Sequence, residues 1–381
     1  MLYNIFIIGK HTTAQVKWLI ESISKLSAPC GLSLKKDISI HISVAPIDIS
    51  THTLIPAVIF YFCDNKSNVD LKWLIEKQKP IIPILSNADF NFENLPSDLK
   101  RLNCMYFTKQ SVPLVVSAGF ECLGLLPKQR RVFLSYRRIE SKAIAHQLFE
   151  ALSARQYSVF LDTHIIRPSE EFQTVLWHNM SDSDVMIMLD TETYFSSRWT
   201  AAEFGRAQAT GIAVLRVGWP KVNPSHLLSL SDNIQLSDND FLPFGKLKNF
   251  IANKICNKVE ETRSKSISFR SFVMKNKAHE LLSSIGANVY ATGPKFITHA
   301  TLRNNIQVAI QPHIGIPTSR TLYDMPSNKI HKNIVLYDEI GIHPDWQKHI
   351  EWLDKNIFNG YYVPLNNCTE RLIHLTREKD E

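Results

Sequence analysis

Short apolar runs alternate with amphipathic stretches along most of this chain, and that alternation limits the folds open to it. Residues 3–8 are apolar apart from Asn4, the pattern of a strand buried on both faces. Residues 14–26 then set Val16, Leu19, Ile20 and Ile23 along one side of a helix. The rhythm continues with strands at 38–44, 57–63, 81–85 and 104–107, a short helix at 71–77 and an apolar helix at 112–126. Helical crossovers let successive strands pair in parallel and cover both faces of the resulting sheet. The pattern predicts an α/β domain over residues 1–126, with a mostly parallel sheet covered on both faces.

A polar break at 127–131 (Pro, Lys, Gln, Arg, Arg) opens a second segment. Strands are expected at 132–136, 158–162, 184–189 and 212–217, with a short fifth at 234–236. Helices are expected at 140–155, from Ser169 to about Met180, at 198–210 and at 247–259. Ser169 is a good N-cap, and Glu170 and Glu171 suit the positive end of a helix. The Ser/Lys/Arg-rich stretch 261–268 reads as a linker into a smaller α/β domain at 270–381. There, helices at 278–285 and 346–356 and strands at 288–291, 333–337 and 361–364 are legible, while the Pro- and Asn-rich stretch 301–327 gives no assignment. At the level of sequence no tandem repeat is visible, although the first two segments share a βα order.

Charge and cysteine usage narrow the function classes. The net charge of +7 and pI near 9.0 come from basic residues interleaved with acidic ones, with no run of five like charges. A dedicated nucleic-acid groove needs a concentrated basic surface, so none is expected. Six cysteines stand far apart without a C-x-x-C pair, which argues against a zinc site or a disulfide framework and fits a reducing cytoplasm. His146, His164 and His178 have no partners at metal-ligand spacing. No apolar stretch approaches the length of a membrane span, so a cytoplasmic protein without metal or membrane contact is expected.

Chemistry concentrates in the second segment. Trp199 and Glu203 stand four apart in a stretch of helical composition, which places an indole and a carboxylate one turn apart on one face. Ahead of them come a strand ending in Ser135 and Tyr136, a strand ending at Asp162, and a third strand at 184–190. These elements, in this order, resemble a Toll/interleukin-1 receptor (TIR) domain over about residues 130–260. The resemblance implies a flavodoxin-like sheet with its functional face at the carboxyl ends of the strands. It also implies hydrolysis of NAD+, an activity of many bacterial TIR domains that carry Trp-x-x-x-Glu on this helix.

Glu203 matches the family's catalytic glutamate and Trp199 its aromatic partner. Phe133, Ser135 and Tyr136 match the strand-end positions that line the cleft. Asp162 either touches substrate or orients the following loop, and Arg137 either meets the diphosphate or is an exposed strand-end arginine. The segment Thr163, His164, Ile165, Ile166, Arg167, Pro168 and Ser169 matches the BB loop, which mediates self-association in the family. Phe133 also fits a core position, Ser135 a turn, and Trp199 a packed helix residue.

The chemistry implied is economical. Most glycosidases use a second carboxyl group to protonate the leaving oxygen. Nicotinamide is already a pyridinium in NAD+ and departs neutral, so one carboxylate facing the developing positive charge suffices. NAD+ is then substrate and no resident cofactor is expected. Two further readings stand beside the glycohydrolase: a non-enzymatic TIR scaffold, and a cyclase or base-exchange enzyme whose nucleophile is not water. The resemblance also implies a homo-oligomer built on TIR–TIR contacts, a partner protein in a defence system, and a role in bacterial anti-phage immunity.

Other motifs carry less. Gly9 and Lys10 suggest a phosphate-binding loop, but the glycine required five positions earlier is Asn4 and the residue after Lys10 is His11. No G-x-G-x-x-G is present. Trp18 with Glu21 and Trp73 with Glu76 are spaced by three and read as helix faces. The first segment resembles a degenerate TIR-like or generic flavodoxin-like domain lacking the Ser-Tyr pair and the glutamate, so regulation or assembly is expected of it rather than catalysis.

Overall fold

A computed structural model describes residues 1–44, 55–64, 79–86, 95, 98–161, 171–228, 231–325, 331–358 and 360–377. The expected helix at 71–77, Asp162 and the loop 163–169 lie outside the described residues. The chain forms two compact units, Met1–Lys128 and Gln129–Glu381.

In the first unit, strands β1 (Tyr3–Gly9), β2 (Ile38–Ser43), β3 (Ala57–Phe62), β4 (Ile81–Leu85) and β5 (Met105–Tyr106) form a parallel sheet in the order β2-β1-β3-β4-β5. Strands β1 and β3 are buried at every position, which explains why they read as unbroken apolar runs. Helix α1 (Thr13–Ser27) starts at a capping box between Thr12 and Gln15, and α2 (Val112–Cys122) follows β5. Gly9 has φ +97°, and a Cβ there would strike the Phe62 carbonyl. The glycine thus serves the close approach of β1 to β3, which accounts for it without a phosphate.

In the second unit, β6 (Arg130–Ser135), β7 (Tyr157–Leu161), β8 (Val185–Asp190), β9 (Ala213–Gly218) and β10 (Asp232–Gln235) form a sheet in the order β10-β9-β8-β6-β7, again all parallel. Read from its other edge, this is the same strand order as the first sheet. Helices α3 (Arg138–Ser153), α4 (Phe172–Ser181) and α5 (Arg198–Ala209) connect the strands. Val132, Leu134 and Tyr136 pack into one core layer with Ile144 and Leu148, whereas Phe133 joins Phe160, Met186 and Phe204 in the layer on the opposite face. The period-two alternation of a strand accounts for that division.

The expected linker at 261–268 is corrected: it lies inside one continuous helix, α6 (Asn249–Ser284), 36 residues long and roughly 54 Å at 1.5 Å per residue. Its first half packs Ile251, Ile255 and Val259 on the β6–β10 sheet. Its last turns pack Met274, Ala278 and Leu282 on a third sheet. The polar middle is buried because its charges are paired. Arg263 Nε meets Asp184 Oδ2 at 2.8 Å, its Nη1 meets Glu260 Oε1 at 3.1 Å, and its Nη2 donates to the Gln129 carbonyl at 2.9 Å.

The third sheet is mixed. Strands β11 (Asn288–Thr292), β12 (Thr298–Thr301) and β13 (Gln307–Pro312) pair antiparallel in succession, and β14 (His331–Tyr337) and β15 (Gly360–Pro364) continue from β13 in parallel. Helices α7 (Ser319–Tyr323), α8 (Pro344–Asn356) and α9 (Cys368–Arg377) complete it. This lobe grips helix α4. Ser181 Oγ donates to the Ile340 carbonyl (2.8 Å), the His343 N–H donates to His178 Nδ1 (3.1 Å), and the Ile316 N–H donates to Asp182 Oδ1 (2.9 Å). Gly341 has φ +85°, and a Cβ there would strike Ser181 Oγ and the Arg206 guanidinium, so a side chain has no room.

Candidate active site

The β6–β10 sheet reverses strand order between β6 and β8, and ligands of open α/β sheets bind outside the carboxyl ends of the strands at such a point. Ser135 ends β6. The turn after Asp190 of β8 carries Thr191 to Ser196, and α5 follows. Three side chains from these elements meet. Ser135 Oγ donates to Glu203 Oε2 in a short bond, and Ser135 Oγ lies 2.6 Å from Tyr194 Oη.

Helix α5 explains why Glu203 points inward. Its buried positions Thr200, Glu203, Phe204 and Ala207 follow the three-and-four spacing of one helix face. The stripe is continuous through the carboxylate, which is only 5% exposed. Burying an ionised carboxylate is costly unless it is hydrogen-bonded, and Ser135 supplies a donor.

Trp199 shares the face but not the environment, being 46% exposed. It occupies the first turn of a helix that begins at Arg198. Side chains of a helix tilt toward its N-terminus, which carries the indole past the end of the packed stripe. The Arg198 guanidinium lies over the ring at 5.3 Å. The reading of Trp199 as a packed helix residue is therefore corrected.

Two strand-end assignments change as well. Phe133 is 1% exposed and stacks on Phe160 at 5.2 Å, so it is core. Tyr136 is 4% exposed and packs with Leu134 and Ile144. It follows Ser135 and must face the other side of the sheet, so it does not line a cleft with Ser135. Arg137 is held by its guanidinium donating to the Thr193 carbonyl in a short bond, while Thr193 Oγ1 donates to Glu140 at 2.6 Å. Both contacts pin the turn that carries Tyr194. Asp162 and the loop 163–169 lie outside the described residues.

Tyr194 is the site residue that sequence reasoning missed. It sits in a single 3₁₀ turn, Tyr194–Ser196, where no periodicity marks it. Its ring is fully buried, and burial together with the nearby negative charge of Glu203 pushes its phenol well above the ordinary value. The group is a neutral donor at any physiological pH.

Arg216 lies at the same end of the sheet, and an arginine inside the apolar run of β9 is a legible sign of a buried partner. It is fully buried. Its Nε meets Asp190 Oδ2 at 2.5 Å, Nη1 donates to Asn233 and Gln235 at 2.9 and 2.8 Å, and Nη2 donates to the Val222 carbonyl at 2.8 Å. Burial raises the Asp190 carboxyl, against the pull of Arg216. The cluster fixes the carboxyl end of β8, from which the Tyr194 turn departs.

Residues 132–247 match the family model of the TIR domain. No curated protein matches the chain. Among solved structures, the C-terminal domain of glucosamine-fructose-6-phosphate aminotransferase from Francisella tularensis is similar at 10% identity, over 70% of this chain and 84% of that one. Its TM-score is 0.20, too low to carry an argument. Among the described residues no helix is long and apolar enough to cross a membrane.

Proposed function

From the TIR domain that this chain carries, we propose that it is an NAD+ glycohydrolase with Glu203 as its catalytic carboxylate. The observation that carries the reading is the placement of Glu203: buried, hydrogen-bonded by Ser135, and set at the switch point of the sheet on the residue that matches the family's glutamate. An ionised carboxyl group offers about four acceptor positions, more than the Ser135 hydroxyl occupies, and ribose hydroxyls are the donors this reading brings to it.

In the reaction the bond from ribose C1′ to the pyridinium nitrogen breaks and its electron pair passes to nicotinamide, which leaves neutral. The oxocarbenium ion at C1′ is stabilised by the fixed negative charge of Glu203. Water adds at C1′ and releases one proton, giving ADP-ribose. Trp199 supplies an exposed indole one turn away, and the Arg198 guanidinium over it shows the kind of contact a pyridinium would make, worth about 0.5–2 kcal/mol. The reading extends to activation by self-association through the loop 163–169, and to a role in antiviral defence alongside a partner protein. Both extensions rest on the resemblance to the family.

The test is to incubate purified protein with NAD+, free and artificially clustered, and identify products by mass. Wild type is expected to release nicotinamide and ADP-ribose, and Glu203→Gln, which keeps an acceptor for Ser135, to lose that release. No product from clustered wild type would turn the reading toward a scaffold. Equal product from the variant would remove Glu203 from the chemistry, and a cyclic or exchanged product would replace water as the nucleophile.

A further inference from the structure

We propose that Tyr194 and Ser135 are positioning residues that hold the Glu203 carboxylate in a single orientation through a directed chain of hydrogen bonds, Tyr194 to Ser135 to Glu203. The proposal rests on the glycohydrolase reading for its kinetic consequence, and on geometry alone for its structural one.

The direction of the chain follows from counting protons. A carboxylate only accepts and a serine hydroxyl has one proton to give. Ser135 Oγ spends that proton on Glu203 Oε2. Tyr194 Oη, 2.6 Å from the same oxygen, must then donate to it. The phenol is suited to the task, because burial and the charge of Glu203 keep it protonated. Each bond polarises the next, so the serine becomes a better donor to the carboxylate than it would be alone.

Tyr194 is itself held from several directions. Thr200 Oγ1 donates to the Tyr194 carbonyl in a short bond, the Tyr194 N–H donates to the Thr191 carbonyl at 3.1 Å, and the ring meets Phe195 edge-on at 5.2 Å. Thr200 lies one turn before Glu203 on the same helix, so the turn and the catalytic helix are tied twice, once through backbone and once through the carboxylate. Arg137, at the start of α3, ties the same turn to the β6–α3 junction by donating to the Thr193 carbonyl. The phenol hydroxyl therefore has little freedom to leave Ser135. A glutamate side chain has three rotatable bonds, and the two hydroxyls select one setting of its carboxylate before substrate arrives. Orientation of that kind is worth a large part of catalysis, and a misplacement of about 1 Å costs about a hundredfold.

The test compares wild type with Tyr194→Phe, Ser135→Ala and Ser135→Thr by crystallography and by steady-state kinetics on NAD+. Tyr194→Phe removes one buried hydroxyl and keeps the ring. Ser135→Thr keeps the donor and serves as the rescue. The expected result is a displaced or multiply oriented Glu203 carboxylate in Ser135→Ala and Tyr194→Phe, and a single orientation in wild type and Ser135→Thr. With it, kcat should fall about 10–100-fold in Ser135→Ala and about tenfold in Tyr194→Phe, with KM within twofold, as expected for interactions that act on the transition state. An unmoved carboxylate in both deletion variants overturns the proposal, whatever kcat does. A moved carboxylate with unchanged kcat in an active protein also overturns it. If wild type cleaves no NAD+, the carboxylate positions still decide the proposal while the glycohydrolase reading fails separately.

Discussion

Replacing Arg263 with methionine tests whether the polar middle of α6 is a structural joint rather than a tether. The guanidinium is fully buried and bonds Asp184, Glu260 and the Gln129 carbonyl, at 2.8, 3.1 and 2.9 Å. Methionine keeps much of the volume and removes every bond. Asp184 then keeps the Arg131 backbone N–H at 3.0 Å, and Glu260 keeps Ser264 Oγ at 2.9 Å, the Tyr157 hydroxyl and the more distant Arg130 guanidinium at 3.9 Å. Two buried carboxylates have nonetheless lost their shared cation, and breaking a buried pair this way costs about 3–5 kcal/mol. For a unit the size of Gln129–Glu381, each kcal/mol moves the melting midpoint by about 2 °C, so a fall of about 6–10 °C is expected. Calorimetry is the measurement, with the midpoint of the transition compared between wild type and variant. Lys265→Met is the internal control: its pair with Glu261 at 2.6 Å is well exposed and should be worth under about 1 kcal/mol. Adding Asp184→Asn to Arg263→Met should recover part of the loss, since the penalty is the stranded charge rather than the missing bond. A midpoint for Arg263→Met within about 2 °C of the Lys265→Met control would refute the reasoning.

Three further predictions concern the same unit. Gly218→Ala should destabilise by about 1–3 kcal/mol in urea unfolding, because its Cβ would fall against the pinned Arg216 guanidinium. Gly205→Ala, inside α5 with nothing within 4 Å, should instead stabilise by about 0.5–1 kcal/mol. Acid should loosen the grip on α4: burial, and for His178 the neighbouring His343, hold His178 and His313 down to about 4. The unfolded chain takes up these protons near pH 6.5, so stability present above that pH is lost as pH falls toward 4. Asp182, which burial pushes up to about 6 against Arg131 and the Ile316 N–H, works the other way and gains stability as pH falls from about 6. Two groups oppose one, so the melting midpoint should decline across this window, and His178→Gln should flatten the decline. A midpoint that holds level from pH 7 to 4 would contradict the assignment.

What could be read in the sequence, and what could not, divides along the range of the interactions. Strands β1, β3 and β8 are buried at every position, and a doubly covered strand shows itself as an apolar run that needs no partner to be recognised. The middle of α6 defeats that reasoning because hydropathy treats each residue singly. Arg263 is buried only in company with Asp184, 79 positions away, so a stretch that looks solvated by composition is interior by pairing. In the third sheet β12 and β13 escape for a related reason: β12 reads Thr-His-Ala-Thr, and β13 starts at Gln307 and ends on Gln311 and Pro312, compositions that a strand tolerates only when its neighbours are in place. At the site, Glu203 was legible from its motif and Ser135 from its strand end, yet their hydrogen bond spans 68 positions. The placement of Tyr136 was open to a stricter reading, since adjacent strand residues face opposite sides and Ser135 and Tyr136 could not share a cleft. Trp199 illustrates the converse: four residues from Glu203 it shares a helix face, but the helix start decides whether that face is still covered. Spacing gives direction, and only the extent of the packed layer gives environment.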